Sequence, residues 1–146
     1  MLQGLARNAV AQGPTGLEFG VQALATLADP SFAGGGISFS VRPEDRTRFA
    51  AAITPGARDR RFALRGDLLL EYMLDPARFR GVGVYGLGGV AGVTGRSGAG
   101  YIVLGIGVES APGGSSGWAA EVGMGGGVRF TLGWRRRWLH RPGRMP

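Results

Sequence analysis

A chain of 146 residues with 29 Gly and no Cys is long enough for one domain with a sizeable core, and it excludes both a disulfide framework and a thiolate metal site. Gly at this density without a period of three excludes collagen-like structure. It also weighs against long helices, because each helical Gly costs about 1 kcal/mol relative to Ala. All 17 basic residues are Arg, and Arg135, Arg136, Arg137, Arg141 and Arg144 carry most of the net +7, leaving 12 Arg against 10 Asp plus Glu elsewhere. The basic balance is therefore a property of the C-terminus and carries no nucleic-acid reading by itself.

Residues 1–15 form an N-terminal segment in which Ala9-Val10-Ala11 precedes Gln12. These small residues resemble the cleavage site that closes a secretory signal, although Met1 to Ala11 is too short and polar to supply its apolar region. Two readings stand: a chance match in an Ala-rich chain, or the remnant of a truncated signal peptide. No stretch approaches ~20 continuous apolar residues, so no transmembrane helix is expected.

From residue 16 to 138 eight segments follow, each alternating with period two and bounded by turn residues. In the first, Leu17, Phe19, Val21, Ala23, Ala25 and Leu27 alternate with Glu18, Gly20, Gln22 and Thr26, and Asp29-Pro30 ends it. The second, from about Ala33 to Arg42, sets Ile37, Phe39 and Val41 against Ser38, Ser40 and Arg42. The third, Thr47 to Thr54, sets Phe49, Ala51 and Ile53 against Arg48, Ala50 and Ala52, and Pro55 to Arg60 reads as a polar loop. The fourth runs from Phe62 to Leu74 with Arg65, Asp67 and Glu71 on its polar parity.

The fifth, Gly81 to Val93, has apolar residues and Gly on both parities, and Tyr85, Leu87 and Val93 are assigned outward. The sixth alternates Ile102, Leu104, Ile106 and Val108 with Tyr101, Gly105, Gly107 and Glu109. The seventh sets Trp118, Ala120, Val122 and Met124 against Glu121 and Gly123. The eighth sets Val128, Phe130, Leu132 and Trp134 against Arg129, Thr131, Gly133 and Arg135. A three-residue hairpin at Gly125-Gly126-Gly127 keeps Met124 and Val128 on one face; the rival is a single strand of about twenty residues, far longer than most. Residues 139–146 form a basic tail.

Each segment thus has one greasy and one polar face. The polar parity collects Glu18, Gln22, Arg42, Arg48, Arg65, Asp67, Glu71, Glu109, Glu121, Arg129 and Arg135. On a soluble sheet these would face water. Gly, Ser and Ala dilute that parity, however, where a wet face normally carries dense Lys and Glu. Aromatic residues near segment ends, Tyr72, Tyr101, Trp118, Trp134 and Trp138, suit interfacial girdles. The expected fold is all-β, a single antiparallel up-and-down membrane barrel of about eight strands, with the charges paired in its interior.

The runs Tyr-x-x-Gly-Gly, Gly-x-Gly-x-Glu and Gly-Gly-Gly-x-Arg-x-x-x-Gly-Trp-Arg between Gly81 and Trp138 resemble the C-terminal half of small bacterial outer-membrane β-barrel proteins, the porin-like superfamily in its broad sense. The resemblance implies a place in the bacterial outer membrane, with membrane lipid and the barrel-insertion machinery as partners. It also implies that Trp138 plays the part of the final-strand aromatic. Leu139 to Pro146 follow it, and Arg136 falls on the outward parity; both depart from that pattern.

The expected function is structural, adhesive or concerned with envelope integrity, with a side-chain-plugged interior and no open channel. No catalysis, cofactor, metal or nucleic-acid partner is expected. The alternative is a soluble barrel holding a small apolar ligand, which requires the apolar parity to point inward. An enzyme acting on lipid would need Ser38, Ser40 or Glu109 to meet His140, the single His, which sits in the tail.

Overall fold

The computed structural model describes residues 15–95 and 98–140. The proposed signal remnant and most of the basic tail lie outside these residues. Eight strands follow in order: β1 (Thr15–Leu27), β2 (Phe32–Arg42), β3 (Thr47–Arg58), β4 (Arg61–Met73), β5 (Val82–Val93), β6 (Ala99–Ser110), β7 (Ser116–Met124) and β8 (Val128–His140). Each pairs antiparallel with the next, and β8 pairs back onto β1 from Thr15↔His140 to Leu27↔Val128, closing the barrel. Closure leaves no edge strand with unpaired backbone groups, the condition for crossing a bilayer with strands.

The period-two alternation produces this architecture directly, since successive side chains leave a strand on opposite faces. Along β4 Ala63, Arg65, Asp67, Leu69, Glu71 and Met73 are buried, while Leu64, Leu68, Leu70 and Tyr72 are exposed. Met124 pairs with Val128 across Gly125-Gly126-Gly127, with Gly126 at φ +81° and Gly127 at φ +111°. L side chains rarely adopt that region. The hairpin therefore forms, and the single long strand does not.

Three expectations are corrected. Tyr85, Leu87 and Val93 face inward, 1%, 6% and 6% exposed. The outward face of β5 instead carries Val82, Val84, Gly86, Gly88, Val90 and Gly92. Pro55 to Arg58 is not a loop but the end of β3, paired with Leu64 to Arg61 of β4. Pro55 cannot donate to a ladder, and the β2–β3 pairing runs from Ile37↔Ile53 outward but resumes only at Gly34↔Gly56. The turn that remains is Asp59-Arg60, with φ of 50° and 59° at the two residues, as a type I′ hairpin demands. Finally, Tyr101 shares the inward parity of β6. It packs against Leu24, Phe32, Ala63 and Val93 instead of joining an outer girdle.

The chain enters and leaves the barrel at one end, the terminal end, where residues 43–46, 74–81 and 111–115 make the turns. Residues 28–31, 59–60, 94–98 and 125–127 connect strands at the far end.

Candidate functional site: a charged lumen in an apolar wall

The lumen is lined by five buried carboxylates, Glu18, Asp67, Glu71, Glu109 and Glu121, and six buried guanidiniums, Arg42, Arg48, Arg65, Arg129, Arg135 and Arg137. Eight strands leave an interior only wide enough for side chains to fill, so these groups meet across it. An unpaired charge there would be prohibitive, whereas Arg, with five donors in a planar fork, can satisfy several carboxylate oxygens at once.

Near the terminal end Glu18 is the hub. Its Oε1 accepts from Arg42 Nη2 and from Arg137 Nε, each at 3.0 Å, and its Oε2 accepts from Arg48 Nη1 at 3.0 Å. Arg48 Nη1 also donates to both oxygens of Glu109 at 3.1 Å, and Arg137 Nη2 donates to Glu109 Oε2 at 2.8 Å. Arg48 is ion-paired with Glu71 through Nη2 as well. Deeper in, Glu121 accepts from Tyr85 Oη at 2.8 Å, from Arg135 Nη2 at 3.1 Å and from Arg129 Nη1 at 2.7 Å. The guanidinium carbons of Arg48 and Arg135 stand 5.0 and 5.6 Å from the Tyr85 ring centre, within cation–π range.

Both ends of this cluster are tied to turns. Arg42 Nη1 and Nη2 donate to the Pro112 carbonyl at 3.2 Å, and Arg137 Nη1 donates to the Ala111 carbonyl at 3.1 Å. Gly113 N–H donates to the Arg78 carbonyl at 2.9 Å, which ties the two longest terminal-end turns together. Toward the far end Arg65 donates to Asp67 at 3.0 Å and to the Gly125 carbonyl at 2.9 Å, and Asp67 lies 3.7 Å from Arg129 Nε. A chain of ion pairs therefore runs from the Gly125 turn through Asp67, Arg129, Glu121, Arg135, Glu109, Arg48 and Glu18 to Arg42 and Pro112. Above it at the far end sits the apolar cluster of Leu24, Phe32, Ala63 and Val93, where Arg58 Nη2 donates to Tyr101 Oη at 3.2 Å.

Of the residues the sequence assigns to an interior polar network, Glu18, Arg42, Arg65, Asp67, Glu71, Glu109, Glu121, Arg129 and Arg135 all lie in this cluster. Gln22 stands apart, half-buried, its Nε2 donating to Thr54 Oγ1 at 3.2 Å. Sequence reasoning missed Arg137, although its parity with Arg135 was the available signal. It also missed Tyr85, whose ring lies where a Cβ on its cross-strand partner Gly107 would stand. An aromatic residue covering a cross-strand Gly is a recognisable sheet device.

The outer wall is the inverse. Leu17, Phe19, Val21, Ile37, Phe39, Leu68, Leu70, Ile102, Leu104, Ile106 and Leu132 are all exposed, Ile102 by 75%. Single exposed apolar residues are ordinary, but a continuous apolar belt around a charged interior is a lipid-facing surface. From Leu17 to Leu27 the outward face of β1 covers about 25 Å of height at ~3.3 Å per residue and a tilt near 40°, the height of such a belt. Tyr72, Trp118 and Trp138 stand outward on this wall toward the terminal end, and Trp134 stands outward at the middle of β8, opposite Val21. The soluble alternative needed an apolar lumen, and the charged lumen contradicts it.

His140 lies at the end of β8 on the outward parity, while Ser40 and Glu109 are buried on the inward one. The wall of the barrel therefore separates the only His from the groups an acyl-transfer site would need. Among the described residues no group of three His, Asp or Glu is placed to hold a metal ion.

The fold and the lumen together define a small eight-stranded transmembrane β-barrel of outer-membrane type. Three solved structures share it. The N-terminal β-barrel domain of Pseudomonas aeruginosa OprF matches with a TM-score of 0.63 at 15% identity, over 85% of this chain and 99% of that one. Neisserial surface protein A (NspA) matches with 0.56 at 16% identity, over 85% and 97%. The outer membrane protein OprG from Pseudomonas aeruginosa matches with 0.57 at 12% identity, over 90% and 95%. At these identities the likeness is one of fold. No protein-family model matches the chain, and no curated protein does.

Proposed function

We propose that this chain resides in the bacterial outer membrane as a sealed, non-catalytic barrel that serves envelope integrity. Lipid would be its solvent and the barrel-insertion machinery its route of assembly. The observation that carries this reading is the column of ion pairs from Gly125 to Pro112, which occupies the lumen and is anchored to turns at both ends. Moving a solute through it would require breaking several buried, multiply bonded pairs, each costly to separate away from water. The far-end connections of only a few residues offer little surface for adhesion, which favours the envelope role over an adhesive one.

The test has two parts. Expressed behind a known signal peptide, the chain is expected in the outer-membrane fraction, with unboiled and boiled samples migrating differently on a gel. Purified and added to a planar bilayer, it is expected to give no stepwise conductance; regular open steps would overturn the sealed lumen, and a soluble fraction the location.

A further inference from the structure

On the lipid-facing parity of the eight strands, Arg136 of β8 is the sole Arg, Lys, Asp or Glu among the described residues. Its side chain makes no hydrogen bond or ion pair with them. Its surroundings are not those of an ordinary surface charge. Trp134 and Trp138 lie two residues either side on the same face of β8, Ser116 is its cross-strand partner on β7, and Phe19 is its partner on β1. Trp118 pairs with Trp134 directly beside it.

An outward Arg costs about 2–4 kcal/mol at the bilayer midplane but about 0–1 near the interface, and Trp collects at headgroup level. Arg136 pairs with Ser116, the first residue of β7, and with Phe19, one outward residue inside the Leu17 margin of the belt, so its long side chain reaches the headgroup level at the terminal end. A cleft of about 520 Å³ opens beside it, lined by Gly113, Gly114, Ser115, Trp138 and His140. No acidic side chain lines that cleft, and Arg137, which also borders it, is already committed to Glu18 and Glu109.

We propose that this corner of the barrel is a binding site for the phosphate of an anionic phospholipid. Arg136 holds the phosphate oxygens through its planar fork, the Ser116 hydroxyl and the neighbouring indole N–H groups add donors, and the acyl chains lie along Phe19 and Leu132. The proposal rests on the membrane reading above and adds to it a lipid class and a position.

The test is quenching of tryptophan fluorescence by lipids with brominated chains, with the protein refolded into phosphatidylcholine vesicles. Traces of brominated phosphatidylglycerol should quench more effectively than equal traces of brominated phosphatidylcholine, with a preference of about five-fold, the effect of one basic side chain at an anionic surface. Arg136→Gln should bring the preference to about one while the gel shift on boiling stays. Arg141→Gln with Arg144→Gln should leave it intact. Equal quenching by the two lipids in the unaltered protein would overturn the proposal, as would a preference that survives Arg136→Gln or vanishes with the tail pair. Loss of the preference on adding inorganic phosphate would show a free-anion site and overturn the lipid assignment. Failure to enter vesicles at all would overturn the membrane reading itself, a result the gel shift separates from the others.

Discussion

A carboxylate in this lumen is worth more than the pair it forms, because removing it strands more than one guanidinium. Glu18 accepts from Arg42, Arg48 and Arg137, all buried. Glu18→Ala is expected to lower stability by about 3–5 kcal/mol, the cost of an uncompensated buried charge, read as a lower urea midpoint for the gel shift. Arg is also not replaceable by Lys here. Arg48 uses Nε, Nη1 and Nη2 toward three carboxylates, a fan that a single ammonium cannot reproduce. The smallest residue in the lumen is under equal constraint. A Cβ on Gly107 would collide with the Tyr85 ring, so Gly107→Ala must displace Tyr85 from Glu121, at an expected cost of about 1–3 kcal/mol in the same unfolding assay. Gly66→Ala, with open space around its Cβ, serves as the neutral control.

At the scale of strands and turns, parity decides nearly everything. The Asp59-Arg60 turn holds both residues at positive φ, a conformation Asn-Gly adopts with far less strain. Replacing the pair with Asn-Gly is expected to stabilise the barrel by about 0.5–1 kcal/mol, seen as a raised urea midpoint. Strands β1 to β4 and β6 to β8 were legible because a bulky apolar residue recurs on one parity and charge or small residues on the other. β5 was not, because Gly86, Gly88 and Gly92 empty the very parity that should have announced the outer face. The larger residues Tyr85 and Leu87 then read as outward. Tyr101, an aromatic near a segment end, reads as a girdle residue, although Ile102 beside it holds the outer face. Arg137 lies within the eighth segment on the parity of Arg135, and its inward place is a matter of extending that alternation by one more residue, since β8 runs on to His140. What lay beyond the sequence was the pairing itself. That Glu18 of β1 meets Arg137 of β8 follows only from closure, which sets the Glu18↔Arg137 register.

For the whole molecule, closure turns a set of amphipathic strands into two surfaces of opposite character, an apolar wall outside and an ion-pair column inside. Arg65 and Arg42 tie the two ends of that column to the Gly125 and Pro112 carbonyls, and the sealed lumen proposed above rests on this. The central claim is this inside-out arrangement in lipid, and site-directed spin labelling tests it most directly, because the chain has no Cys to remove. Single Cys residues at Leu68, Leu70, Ile102 and Leu104 would each be labelled in protein refolded into vesicles. Relaxation by oxygen, which partitions into the bilayer, and by a water-soluble nickel complex would then be compared. The account predicts strong oxygen and weak nickel relaxation at all four positions. Strong nickel relaxation there, in a protein that stays soluble without detergent, would contradict it.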